Sequence, residues 1–108
     1  MKPEIKIKNA KIVLNDIASG RVYQYEDDTT SACLSDLNVD AKERKKGFGT
    51  EVLKMLECIG TAWGAQKLFL WADKRAWMHE WYKRKDYEDF APYEDDENFV
   101  WMIKSIKK

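Results

Sequence analysis

Arg44-Lys45-Lys46-Gly47-Phe48-Gly49-Thr50 is the stretch at which the period of this sequence changes. Ahead of it, residues 32–39 read as a strand carrying Leu34, Leu37 and Val39, with an irregularity expected in the alternation. Beyond it, Val52, Met55, Leu56 and Ile59 fall at i, i+3, i+4 and i+7. That spacing is the apolar stripe of a helix packed on a sheet, and Gly64 is placed to stop it. Leu68 to Ala72 is a continuous apolar run, predicting a strand buried on both faces beside a parallel neighbour. Residues 32–72 therefore predict a β-α-β unit whose first turn holds Gly47 and Gly49.

Outward from this unit, Ile5 and Ile7 alternate with lysines, residues 11–17 are rich in aliphatic side chains, and Val22 to Tyr25 follow a predicted turn at Ala18-Ser19-Gly20. Two or three short antiparallel strands are expected there, ending at a polar turn over 26–30. Residues 76–85 read as a second amphipathic helix bearing Trp77, Trp81 and Tyr82. The acidic residues 86–98 read as loop, and Phe99 to Ile103 as an alternating closing strand. The predicted class is α/β: a mixed, mostly antiparallel sheet of roughly six strands, one central crossover, and no helical period before residue 47. Residues 1–108 read as a single domain.

Composition narrows the function. Of 108 residues, 44% are hydrophobic and 35% charged, a globular balance. Nineteen basic residues offset nineteen acidic ones, leaving no net positive field to attract nucleic acid. Cys33 and Cys58 lack metal-ligand spacing and form no disulfide framework, which suits a reducing cytoplasm. No apolar stretch nears the ~20 residues that span a bilayer, and the charged N-terminus does not read as a secretory leader.

The turn over 44–50 lies where free helix amides and the positive dipole end converge, with three cations and a hydroxyl beside them. Two readings stand on spacing alone: ordinary turn chemistry, or an anion cradle. Val52 occupies the place of a third dinucleotide-binding glycine, and no Gly-x-x-x-x-Gly-Lys-Thr occurs, so nicotinamide and P-loop chemistry drop out.

Arg44, Gly47 and Gly49 match the Arg/Gln-x-x-Gly-x-Gly/Ala signature of the GCN5-related N-acetyltransferase family, which this segment resembles. Val39 stands five positions before Arg44, as that family's strand end does. Asp36-Leu37-Asn38-Val39 with Lys46 to Glu51 is similar to the polyamine-acetylating branch, and Trp81-Tyr82-Lys83-Arg84-Lys85 resembles the Phe-Tyr-x-x-x-Gly segment. Departures are Asp86 for the usual Gly, Arg75 for an Asn, Ser35 for a Glu, and the lack of a helix pair between the first strands.

The resemblance implies acetyl-CoA as co-substrate, its pantetheine arm along Leu37, Asn38 and Val39 and its pyrophosphate on Arg44, Lys45, Lys46, Gly47, Phe48, Gly49 and Thr50. It implies direct acetyl transfer to a primary amine. A lysine-like amine of pKa ~10.4 costs ~4.6 kcal/mol to deprotonate at pH 7. Asp36 is read as its ammonium anchor acting through water, against an ordinary solvated carboxylate. Tyr82 is read as the acid for the leaving thiolate, against a packing role. The acidic stretch suits a cationic acceptor, and the short N-terminal part leaves room for a homodimer.

No metal is expected: His79 reads as a helix-surface residue and Cys33 as a structural thiol. Trp77, Trp81 and Trp101 read as core, with lining of the acceptor cleft as the alternative. The rival function is a catalytically silent CoA-binding or protein-binding module on the same fold. A nucleic-acid binder using Arg44 to Lys46 and Lys83 to Lys85 comes further behind.

Overall fold

The computed structural model describes residues 6–93 and 96–106, so the Ile5 expectation lies outside it. Strands β1 (Lys6–Leu14), β2 (Ala18–Tyr25) and β3 (Asp28–Val39) form an antiparallel meander. Its first turn is Asn15-Asp16, both at positive φ (47° and 59°), with the Ile17 amide donating to the Leu14 carbonyl at 2.8 Å. Two left-handed central residues are what a tight hairpin between twisted strands requires. The turn predicted at Ala18-Ser19-Gly20 is therefore corrected, because those residues belong to β2. Gly20 serves packing instead: a Cβ there would lie 2.7 Å from Leu56 Cδ1.

A short 3-10 turn (Ala41–Glu43) leads to helix α1 (Phe48–Ala62), then β4 (Lys67–Asp73), helix α2 (Trp77–Arg84), β5 (Glu88–Tyr93) and β6 (Asp96–Ser105). The sheet order is β1-β2-β3-β4-β6-β5, with β3 and β4 parallel and every other pair antiparallel. This is the predicted mixed sheet with one crossover, and no helix precedes α1 among the described residues.

Val52, Leu53 and Leu56 of α1 are buried with Val22, Ala32, Leu34 and Leu68. Burying each such side chain contributes ~1.5–3 kcal/mol. Met55, predicted in the stripe, is 42% exposed, and Leu53 takes its place. Gly60 sits over the β3–β4 junction, where a Cβ would meet Leu68 Cδ2 at 3.0 Å and Ala32 Cβ at 3.2 Å. Tyr82 of α2 joins the same core, so both helices cover one face of the sheet.

That one-sided cover corrects the reading of residues 68–72. Leu68, Leu70 and Ala72 are buried under the helices, but Trp71 is 44% exposed on the uncovered face. A second correction concerns residues 86–98: β5 and the start of β6 occupy most of the stretch read as loop. Its charged residues are largely exposed along an edge hairpin, while Ala91 and Pro92 pair with Trp101 and Val100. Cross-strand pairing with those apolar partners outweighs the low strand propensity of Asp and Glu. No helix among the described residues is long and apolar enough to cross a membrane.

Candidate functional site

Strand β3 is 12 residues long, yet only Ser31, Ala32 and Cys33 pair with β4. Past Cys33 the strands part. From Arg21 to Ala18, β2 still pairs with Ser35, Asn38 and Val39, and β4 from Leu70 to Asp73 pairs with β6 alone. The cause is local: Asp36 has φ 55°, and the β2–β3 register shifts between Ser19 and Arg21. This bulge, the irregularity predicted in the alternation, bends β3 and leaves Leu34–Val39 with main-chain groups unmatched on the β4 side.

At the wide end of this gap the chain enters the predicted turn. Lys45 and Gly47 are both left-handed (φ 69° and 87°), and a Cβ on Gly47 would meet nothing. The first helical bond, Glu51 N–H to the Gly47 carbonyl at 3.0 Å, leaves the Phe48, Gly49 and Thr50 amides without helical acceptors. Lys46 Nζ donates to Glu43 Oε2 at 2.9 Å, while Arg44 and Lys45 have no ion-pair partner among the described residues. Arg44 instead lies over the Trp77 ring at 5.5 Å. Free amides, a dipole end and unpaired cations are chemistry that suits an anion.

The turn and the gap share a cleft of about 510 Å³, walled by Leu37, Val39, Gly49, Trp77, Met78 and Trp81. Gly49 lets α1 approach this wall closely, since a Cβ would fall 3.2 Å from Val39 and 3.5 Å from Trp81. Of the predicted set, Leu37, Val39, Arg44, Lys45, Gly47, Gly49 and Thr50 line the cleft. Asn38 borders recesses on the other side of β3, and Phe48 packs against the core.

The two predicted chemical residues stand apart from the cleft lining. Asp36 lines a separate recess with Lys11 and Arg21, 72% exposed, its Oδ2 at 3.5 Å from Arg21 Nε. Tyr82 is buried beside Trp81 and Tyr87, with ring centroids 5.3 and 5.8 Å away. Burial holds its phenol well above the ordinary tyrosine value, so it keeps its proton. Its hydroxyl has no hydrogen-bond partner among the described residues. Among the described residues no fully buried side-chain polar atom lacks one, so this oxygen is not fully buried.

Two features escaped the sequence, and a third was left open by it. His79, expected on the surface, is 6% exposed, with Nε2 at 2.8 Å from Asp89 Oδ1. Asp89 lies on β5, ten residues along the chain, beyond the reach of a helical period. Trp77, read as core or as lining the acceptor cleft, is 49% exposed at the cleft. Glu57 Oε2 accepts from Tyr87 Oη at 2.8 Å and Lys104 Nζ at 3.1 Å, locking α1 to β6. An i, i+4 pattern carries no signal for such cross-element pairs.

Asp86 follows α2 at φ 73°. Where the resembled segment has glycine, the left-handed backbone is kept and an aspartate adopts it.

A family model described as the acetyltransferase (GNAT) family matches residues 13–87. The chain belongs to that family. As a GNAT protein it is an acetyl-CoA-dependent N-acetyltransferase, and the free amides of the turn and the unmatched edge of β3 fit the co-substrate's diphosphate and amide-bearing arm.

Solved structures share the fold. An acetyltransferase from Bacillus cereus ATCC 14579 superposes with a TM-score of 0.77 at 19% identity, covering 92% of this chain and 74% of that one. An aminoglycoside 6'-N-acetyltransferase complexed with coenzyme A gives 0.77 at 19%, covering 94% and 76%. PaiA N-acetyltransferase from Thermoplasma acidophilum, in complex with coenzyme A, gives 0.69 at 16%, covering 83% and 54%. The chain thus spans about three quarters of the first two and about half of the third. No curated protein matches the sequence.

Proposed function

We propose that this chain transfers acetyl from acetyl-CoA to a primary amine, with the diphosphate on residues 44–50 and the pantetheine arm along Leu37 to Val39. The observation that carries the reading is the parting of β3 from β4 beside the left-handed turn. The amine nitrogen bonds to the thioester carbonyl carbon and the C–S bond breaks. Sulfur leaves as thiolate and takes the Tyr82 proton, which solvent replaces, while the amine's surplus proton passes to water. A phenol even at pKa ~10 stands only ~2 kcal/mol above a thiol of ~8.5, so positioning makes the transfer feasible, and burial enlarges this gap.

In this reading Asp36 anchors the incoming ammonium through water, and the acceptor is cationic, supported by the exposed carboxylates Asp96 and Glu97 on the terminal hairpin. The setting is the cytoplasm, and a second copy has access to the uncovered sheet face.

Calorimetry with acetyl-CoA tests the cradle. Gly49→Glu should abolish binding, and because Val39 and Trp81 crowd that site, circular dichroism must show the variant folded. Lys45→Glu, exposed and free of such crowding, should weaken binding roughly tenfold or more. Unchanged affinity in both folded variants would displace the site. A second reading, coenzyme binding without transfer, is favoured by the Arg21–Asp36 pair and by the absence of Tyr82 from the cleft lining. Binding without amine-dependent thiol release would establish it.

A further inference from the structure

Along β1 and β2, Ala10, Ile12, Leu14, Ala18 and Val22 turn to the core beneath the helices, so Lys11, Ser19 and Arg21 stand on the opposite face of the sheet. Past its bulge β3 divides in the same way: Leu37 and Val39 wall the cleft, and Asn38 falls on the other side. Lys11, Ser19, Arg21, Asp36 and Asn38 thereby line one recess of about 430 Å³. Leu37 is common to this recess and to the cleft, so the free end of β3 is the wall between them.

The cations of the recess are not engaged within the protein. Lys11 is exposed and has no ion-pair partner among the described residues. Arg21 meets Asp36 through Nε at 3.5 Å, and no hydrogen bond holds its terminal nitrogens among the described residues. Asp16 and Asp40 border the adjoining recess, which shares Lys11, and Asp40 Oδ1 accepts from the Lys42 amide at 3.1 Å. Within the recess itself two cations face one carboxylate, beside the Ser19 hydroxyl and the Asn38 amide. One further carboxylate balances that excess, whereas a phosphate dianion overshoots it. The planar guanidinium fork also matches a carboxylate with two parallel hydrogen bonds.

We infer that the acceptor is a small free amino acid, whose carboxylate docks on Lys11 and Arg21 while Asp36 receives its ammonium. The inference rests on the acyl-transfer reading and names its acceptor class. Asp36 stands on β3 beyond its last pair with β4, so an ammonium held there lies beside the gap, with the carboxylate behind it toward β1. The wide spacing of the Arg21–Asp36 pair suits this use, since a zwitterion satisfies both charges together. A polyamine and a lysine within a peptide lack the carboxylate, and the recess discriminates against both.

The experiment takes glycine, L-alanine, L-lysine, β-alanine and γ-aminobutyrate, and compares each with its carboxamide, with rates referred to the free-base amine. The expected result is a kcat/KM roughly tenfold higher for the acid in at least one pair. In Lys11→Gln and in Arg21→Gln that ratio should fall toward unity while acetyl-CoA affinity holds. Binding is read separately, as the shift of the Arg21 Nε–H resonance, assigned by its loss in Arg21→Gln and titrated without coenzyme. A shift with the acids and not the amides, without turnover, keeps the ligand class and removes the acyl-transfer reading. Equal kcat/KM across every pair, higher values for the amides, or a preference that survives both variants overturns the inference. So does a resonance that no acid moves, or that inorganic phosphate moves at lower concentration than any acid, since the recess then serves a dianion.

Discussion

The two faces of the sheet are both apolar, and they differ in what seals them. Under α1 and α2, Val22, Leu34, Leu56, Leu68 and Met102 interdigitate, each no more than 4% exposed. On the opposite face Tyr93 stacks on Trp71 and tilts against Trp101, Phe99 meets Trp71 edge-on, and Phe90 is 60% exposed. The first face holds the fold together by excluding water. The second holds its shape through ring-on-ring geometry.

The largest effect should come from the sealed face. Leu56→Ala deletes a fully buried side chain and should cost about 3 kcal/mol, lowering Tm by more than 10 °C in thermal unfolding. A cost under ~1 kcal/mol would mean that α1 does not carry the core.

Next comes Tyr82→Phe, also on the sealed face, which keeps the ring and removes the proton donor. Turnover should fall roughly 10²-fold with Tm and coenzyme affinity nearly unchanged. Because burial raises the Tyr82 phenol, wild-type rate should climb with pH as the amine loses its proton, with no descending limb near pH 10. A Phe variant of full activity, or one that loses stability in step, would assign Tyr82 to packing. The smallest effect belongs to the open face: Phe90→Ser should move stability by less than ~1 kcal/mol. A larger loss would mean that the aromatic face is as structural as the sealed one.

The same contrast explains what could be read in advance. The β-α-β unit was legible because Val52, Leu56 and Ile59 obey one period and Gly47-Phe48-Gly49 breaks it. The turn's place was legible because Gly47 and Gly49 stand directly before the helical period, and left-handed backbone and helix amides depend on neighbours along the chain. Residues 68–72 misled because an apolar run does not say whether one cover or two exist. The acidic hairpin misled because its strand character comes from partners in β6. The His79–Asp89 and Glu57–Tyr87–Lys104 contacts join residues far apart in sequence, where periodicity has nothing to report.

Gly60 gives the sheet a mechanical property. It presses on Ala32 of β3 and Leu68 of β4 at the closed end of their seam, where a methyl group would have 3.0–3.2 Å to fit. From Cys33 to Val39 the strand runs six residues, ~20 Å at ~3.3 Å each. The three-pair seam is thus a fulcrum and the free end of β3 its lever arm. A few tenths of an ångström of wedge at Gly60 would become a several-fold larger change in aperture at Val39, so a position in the last turn of α1 bears on the width of the gap at its far end.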